Sequence, residues 1–442
     1  MQRLDLSPIV LMTAACVAAL GSALVVLILA SSQPWLGLRI LPDGAGLRIV
    51  AVAPQGPAAA VVPGTRLVGL VAGADASGPM LALDAVDLVE EPDTLPGADI
   101  QRAFLARQGE IAAVLGAGTV QLVLETAEGR SHLAVTPAPA RPVLSLPPVF
   151  WIQLGVGVTG TLLCGWVLGL RRREASAWFF LLGGLGLMGA AHSAALYSTR
   201  ELALPEALFT AASRINGVST LAFGIGMVNL FLIYPVALVA RRWLWLPAAL
   251  LGAWALSVAT GWPQGSYAIQ VPVVLAMLAI CLGIAAQLRA TRGNPSARAV
   301  LGWLGLSVVI GAGSFVVTVI MPTLLGIEPT LSQGQAFLFF LVIFAGLAMG
   351  VARYRLFDLA EWSFRVLFYM GGVVVLLLLD GALILVLALE RLPALGLSLA
   401  AVALFYLPLR DMVARRVLAG ARGADDGLFA AVTGVALAED TE

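Results

Sequence analysis

The feature that most constrains this chain is a series of apolar runs, each long enough to cross a lipid bilayer. A membrane-spanning helix needs about 20 mainly apolar residues. Only 12% of the chain is charged and 60% is hydrophobic, whereas about 25% of an average soluble protein is charged. The sequence therefore predicts a polytopic α-helical membrane protein with about ten spans. They lie at 8–30, 149–170, 177–198, 215–237, 243–260, 270–289, 300–325, 335–352, 366–388 and 394–409.

Arginine residues are concentrated at alternate joints between these runs. They include residues 171–173, 241–242, 289–298, 353–365 and 410–416, whereas the other joints carry few cations. Because short cytoplasmic loops carry the excess of Lys and Arg, we expect both termini in the cytoplasm and residues 31–148 outside. In a bacterium this is the cytoplasmic (inner) membrane, with residues 1–30 as an uncleaved first helix in contact with lipid. A signal peptide cleaved near Ala30-Ser31-Ser32 is the alternative.

The stretch 31–148 is the one long segment that could fold in water. Strand-like runs alternate in it with turn signals, and one longer helical pattern follows the third run. The predicted strands are 36–40, 47–53, 67–71, 120–124 and 133–135, and the predicted helices are 58–61 and 100–115. We expect a small exported α/β domain that ends in a Pro-rich linker near 138–148.

Two motifs in this segment resemble PDZ domains. Trp35–Ile40 is similar to the carboxylate-binding loop and its following strand, and Pro54–Ala60 is similar to the Pro-Ala turn of that family. In Pro63–Leu67, Thr65 stands where the family usually has an acid. The resemblance implies that the backbone of Leu36, Gly37 and Leu38 binds a peptide or protein C-terminus. The alternative is an edge strand in which Gly37 only provides a bend.

A second resemblance lies after the eighth run. Tyr354–Leu359 is similar to a Tyr-Arg-Leu-Phe-Asp segment of polytopic bacterial sensor histidine kinases, and an exported PDZ-like domain before the bundle is the layout of the competence-pheromone type. The resemblance implies a seven-span sensory bundle at 149–352, a cytoplasmic interfacial joint at 353–365, two last spans at 366–409 and a cytoplasmic tail at 410–442 that begins an output region. The candidate signal-transmission residues are Tyr354, Arg355, Phe357, Asp358, Trp362 and Asp380.

Asp380 is a candidate on physical grounds as well, because it interrupts a predicted span near its middle. An ionisable group is costly in lipid and marks a candidate functional site. A neutral Asp that bonds a neighbouring helix is the alternative. His192, Tyr197, Glu206 and Arg214 could line one outward-facing cavity, or they could be separate interfacial residues.

No catalytic residue, cofactor or metal site is predicted. The three cysteines lie in separate apolar runs, and neither His132 nor His192 falls on a cytoplasmic segment where a kinase phosphoacceptor would lie. The favoured function is therefore the input module of a two-component system, working as a homodimer on a cytoplasmic kinase and response regulator. A transporter or channel is the alternative. An intramembrane protease, which would pair His192 with a serine, is the remote one. No nucleic-acid partner is expected.

Overall fold

The computed structural model describes residues 7–44, 46–75, 78–126, 128–261, 267–327, 329, 331–354, 396, 398–400 and 402–406. These residues form a helical bundle and a small β-sheet domain, which we call the head (residues 33–140). The predicted span 366–388 lies outside the described residues, as does part of 394–409.

Apolar helices dominate the described chain. They are α1 (Pro8–Ser31), α3 (Pro148–Leu170), α4 (Ala175–Ser198), α5 (Glu206–Ile233), α6 (Trp245–Thr260), α7 (Gln270–Ala290), α8 (Pro295–Phe315), α9 (Met321–Leu324), α10 (Gln333–Ala336) and α11 (Leu338–Tyr354). Within the described residues, seven helical segments are long and apolar enough to cross a membrane, counting α8 and α9 as one and α6 with its preceding turn. The membrane-protein prediction is confirmed at this level, and the number ten stays a prediction.

Helix α5 begins at Glu206, nine residues before the predicted start of its span at 215. Glu206 and Arg214 lower the local hydropathy, but the helix continues through them because its first turns pack against the head. The ring of Phe209 on α5 meets Phe104 of the head edge-on, with centroids 5.5 Å apart. The extra turns of α5 thus belong to the contact between bundle and head.

A π-helical turn interrupts the last long span. Val316–Ile320 separates α8 from α9, and Pro322 follows two residues later. Proline has no backbone N–H to donate to the carbonyl four residues earlier, and a local change of helical register is a common response. The side chains of Val316 and Ile320 line a cavity inside the bundle.

Helices α4 and α5 approach each other closely through glycine. A Cβ on Gly186 would lie 2.4 Å from the backbone nitrogen of Phe223, and one on Gly226 would lie 2.6 Å from the backbone nitrogen of Gly183. Small residues at such crossings let helix backbones pack tightly in a membrane. No movement of a flexible side chain could relieve these contacts, because the opposing atoms belong to the backbone.

We predict that Gly186→Leu destabilises the bundle while Gly252→Leu on α6 does not. Gly186 faces the backbone of α5, whereas a Cβ on Gly252 would meet nothing within 4 Å. Overpacking of a tight core costs about 1–3 kcal/mol, so the thermal midpoint of the purified G186L protein should fall. Equal midpoints for the two variants would contradict this packing.

The head is an antiparallel sheet with strand order β1-β2-β3-β5-β6, and β4 pairs with β3 off this path. The strands are β1 (Leu38–Asp43), β2 (Gly46–Val52), β3 (Arg66–Ala72), β4 (Leu81–Ala82), β5 (Val120–Thr126) and β6 (Gly129–Val135). Each of the five predicted strands is present within a few residues. β4 was not predicted, because two residues are too short for an alternation signal.

Helix α2 (Ala98–Gly116) follows β4 and covers one side of the head. It buries Phe104, Ile111 and Leu115, as its periodicity predicts, but Ile100 is 48% exposed. The short helix predicted at 58–61 is wrong: this stretch is a hydrogen-bonded turn, which still buries Ala58 and Val61 in the head.

The head joins the bundle at one end. α1 leads into it and α3 leads out of it, and the joints α4–α5 and α6–α7 contact it. Since the spans alternate in direction, the Arg-rich joints at 171–173 and 289–298 lie at the opposite end. The charge asymmetry of the sequence is thus an asymmetry between the two ends of the bundle. Which end faces the cytoplasm stays a prediction.

Candidate functional site

The loop that leads into β1 needs glycine at its centre. Gly37 has φ +84°, in the left-handed region that favours glycine, and a Cβ there would lie 2.9 Å from the Cα of Gly56 and 3.2 Å from the Cβ of Ala53. The flanking side chains of Leu36 and Leu38 are buried in the head. The loop therefore presents its backbone N–H groups and keeps its side chains inside.

The carboxylate of Glu201 occupies this loop. The backbone N–H of Leu36 donates to Oε2 of Glu201 at 2.7 Å, and the N–H of Leu38 donates to Oε1. Glu201 lies in the joint between α4 and α5, 163 residues further along the chain than Leu38. One side chain of the bundle thus fills the position that the sequence assigned to a peptide terminus.

Burial and hydrogen bonding act in opposite directions on Glu201. Burial raises the pKa of its carboxyl above the usual range, while the N–H groups of Leu36 and Leu38 and the charge of Arg141 lower it. Hydrogen bonds to a charged acceptor contribute about 1.5–3 kcal/mol each. The two N–H groups therefore offset much of the cost of burying the charge.

The residues after Glu201 enter the core of the head. Leu202 is 1% exposed and packs in the same apolar cluster as Leu36 and Leu38. Ala203 belongs to that cluster too. The bundle therefore inserts a short segment, an acid followed by apolar residues, into the head. We call residues 201–203 the docking segment.

Arg200 makes a second connection between bundle and head. Its guanidinium donates to the carbonyls of Val89 at 2.6 Å and Asp87 at 3.1 Å, and to Oε1 of Gln108 at 2.9 Å. It lies over the ring of Phe209, 4.8 Å from the centroid. Burial lowers the pKa of Arg200 to about 10, although nearby carboxylates raise it. The cation is fixed mainly by neutral acceptors of the head.

An acidic segment of the head forms a third connection. Nε2 of Gln270, at the start of α7, donates to the backbone carbonyl of Asp93 at 3.0 Å and to its Oδ2 at 3.2 Å. Burial raises the pKa of Asp93 to about 6. The neighbouring Glu91 is 5% exposed, and burial, helped by Asp93, raises its pKa well above the usual range. Neither acid has a cation within ion-pair distance among the described residues.

The structure brings together only part of the predicted site residues. Leu36, Gly37 and Leu38 form one loop, but their acceptor is internal. Tyr354 ends α11, and its side chain is not described. The other predicted signal-transmission residues lie outside the described residues: Arg355, Phe357, Asp358, Trp362 and Asp380. His132 is exposed on β6, opposite Val123.

The four residues considered for one cavity separate into different places. Tyr197 and Arg214 line a common cleft beside the head. Glu206 is exposed, with its Cβ near Gly109 of the head. His192 lies inside the bundle, where Nδ1 is 2.7 Å from Oγ of Ser22 on α1 and Nε2 is 3.2 Å from the carbonyl oxygen of Leu154.

Glu201 and Arg200 were not singled out from the sequence. They stood there only as charges in a joint between two spans. One available signal was the run Glu201-Leu202-Ala203-Leu204, where apolar residues continue into a joint that should be polar. Apolar residues in such a joint indicate that something covers them.

We predict that Glu201→Ala loosens the head. The variant leaves the N–H groups of Leu36 and Leu38 without their acceptor, at a cost of about 1–3 kcal/mol for each group that stays buried. Hydrogen exchange of these two amides, measured by mass spectrometry on the full chain in nanodiscs, should quicken about tenfold or more.

Glu206→Gln is the matched control for that experiment, since Glu206 is exposed and begins α5, five residues after Glu201. It should leave the two amides as slow as in the wild type. Unchanged exchange in E201A, or equal acceleration in E206Q, would contradict the role of the Glu201 carboxylate.

Within the described residues, no three His, Cys, Asp or Glu side chains gather where they could hold a metal ion. No family model matches the chain, and no curated protein or solved structure matches it either.

Proposed function

We propose that this chain is the sensory input module of a bacterial two-component system. In this proposal the head is a PDZ-like domain outside the cytoplasmic membrane, and its loop recognises a peptide or protein C-terminus. The observation that carries the proposal is the bond between the loop and Glu201. The groups that would bind a terminal carboxylate hold a carboxylate of the bundle instead.

An internal carboxylate gives such a receptor a direct route to its spans. A peptide that enters the loop must displace Glu201, and the docking segment is continuous with α4 and α5. Because one carboxylate replaces another at the same N–H groups, the exchange costs little net hydrogen bonding. A ligand shifts an equilibrium only by its differential affinity for the two states. Here the differential affinity depends on how the apolar contacts that the peptide makes with the head compare in free energy with those that Leu202 makes.

The output side of the proposal depends on the chain after α11. The Tyr354–Leu359 motif favours a cytoplasmic histidine kinase, in cis or in trans, as the partner that responds. The transporter alternative depended on Asp380, which is outside the described residues, and on the glycine-rich spans. A transporter would still be compatible with the bundle, but none of the described contacts favours it.

The peptide proposal is tested on the full chain in nanodiscs with a library of C-terminal peptides and their amidated forms. We expect free C-termini to bind, amidated forms to bind at least about tenfold more weakly, and E201A to bind free C-termini more tightly than wild type. The affinity rises in E201A because its loop is no longer occupied.

Gly37→Val should abolish this binding, because the added side chain would meet the Cα of Gly56. Gly64→Val is the matched control: Gly64 also has a positive φ, but its Cβ would meet nothing within 4 Å. Equal binding of amidated and free peptides, or no gain in E201A, would refute the exchange at Glu201.

The proposed sidedness has its own test. A fusion of alkaline phosphatase in the exposed turn at Glu128 should be active, because that enzyme matures only outside the cytoplasm. A fusion of green fluorescent protein at the same position should be dark. The reverse result would place the head in the cytosol and remove the sensor proposal.

An intramembrane serine hydrolase is the second candidate, favoured by one observation. Oγ of Ser22 is 2.7 Å from Nδ1 of His192, within the range for a nucleophile and its base, and the carbonyl of Leu154 is positioned to orient the ring. The same contact also serves as a bond between α1 and α4. Labelling of wild type but not Ser22→Ala by a fluorophosphonate would favour the hydrolase; absence of labelling would remove it.

A further inference from the structure

Arg214 is a half-buried cation without a partner among the described residues. It lies eight residues into α5, about 12 Å from the start of the helix, and it makes no ion pair or hydrogen bond there. It lines a cleft between the head and the bundle, together with Tyr197, Ser213 and Gln101. A long Arg side chain can extend to the membrane surface, and this one borders the cleft between the head and the bundle.

The cleft adjoins a second, deeper cavity. Asp93, Asn216 and Ile269 line both. The deeper cavity is lined almost entirely by apolar side chains of α4, α5, α7, α8 and the α10–α11 region. Its walls include a cluster of four rings, with centroids 5.2 to 5.8 Å apart: Phe223, Phe315, Phe337 and Phe340.

We propose that the cleft and the cavity together form a binding site for an amphipathic anion, with an apolar chain in the cavity and a carboxylate, phosphate or sulfonate head at Arg214. An apolar cavity that ends in a few polar groups is the usual form of a small-molecule site. The unpaired guanidinium supplies the charge selectivity, and the rings supply apolar contact. This site is separate from the loop that holds Glu201 and does not depend on the proposed function.

Asp93 makes the affinity of this site for an anion depend on pH. Its carboxyl shares the cleft with Arg214, Arg102 and Tyr197, and Glu91 is the neighbouring acid. Burial raises the pKa of Asp93 to about 6, so its repulsion of an anionic head falls as the pH drops through that value. A permanently charged anion should therefore bind more tightly at pH 5 than at pH 7.5, and Asp93→Asn should remove most of the difference.

The test uses the full chain in phosphatidylcholine nanodiscs and a dodecanoate probe that carries a diazirine at its far end. Light should crosslink the probe to α7, α8 or the α10–α11 region. Unlabelled dodecanesulfonate should compete at least about tenfold better than dodecanol or dodecyltrimethylammonium. If added phosphatidylglycerol competes as well, the natural occupant is a membrane lipid; if it does not, it is a free single-chain anion. Both results support the anion site.

Arg214→Gln should abolish the preference for the sulfonate, and Arg214→Lys should keep part of it. Arg242→Gln is the matched control, because Arg242 stands at the opposite end of the bundle, stacked on Trp243. If R214Q fails to fold, the proposal is tested by the sulfonate preference of R214K and by which helices the probe crosslinks. Crosslinks confined to other helices, equal competition by alcohol and sulfonate, or the same loss in R242Q would overturn the proposal.

Discussion

The interaction on which the rest of the structure depends is the bond between the backbone of the head and one side chain of the bundle. Backbone N–H groups in a buried loop must find acceptors. Those of Leu36 and Leu38 find theirs in Glu201. A loop that could bind an external carboxylate is in this way satisfied by an internal one. The head is fixed to the bundle through these N–H groups. In the proposed function the same groups bind a peptide carboxylate, so that peptide binding and docking of Glu201 exclude each other.

In the proposed function, this exclusion is what couples peptide binding to the spans. Arg200 and Glu201 are adjacent in the chain, yet one bonds carbonyls of the head and the other bonds N–H groups. Both are anchored to helices whose crossing depends on backbone contact at Gly186 and Gly226. Because backbone meets backbone at these two points, a shift of the joint is expected to move α4 and α5 together. The amphipathic anion site, which α5 also lines, would act on the same pair of helices.

Most of the fold could be predicted from the sequence, because it follows from local patterns. The apolar run 270–289 predicted a span, and the structure has a helix at Gln270–Ala290. The strand-like runs separated by turn signals predicted the strands of the head. The start of α5 was placed nine residues late, since hydropathy does not register that the first turns of this helix pack against the head through Phe209. The backbone bend at Gly37 is present, and its assignment to a PDZ-like carboxylate-binding loop stays a prediction.

The occupant of that loop could not be predicted. The contact between Leu38 and Glu201 joins residues 163 positions apart, and nothing local to either marks the other. The same is true of Ser22 and His192, which are 170 positions apart. Sequence analysis named His192 but could not choose among the serines. Long-range pairing of polar groups is decided by how the helices pack, and single-sequence periodicity carries little of that information.

The most direct test of the central claim is a distance measurement between head and bundle. Spin labels at Glu128 of the head and Leu256 of α6, both exposed, would be introduced after Cys16, Cys164 and Cys281 are replaced by serine or alanine. Pulsed electron paramagnetic resonance on the full chain in nanodiscs should give one narrow distance distribution. The double variant Arg200→Ala/Glu201→Ala should give a broad one. A broad distribution in the parent chain, or a narrow one in the double variant, would contradict the account.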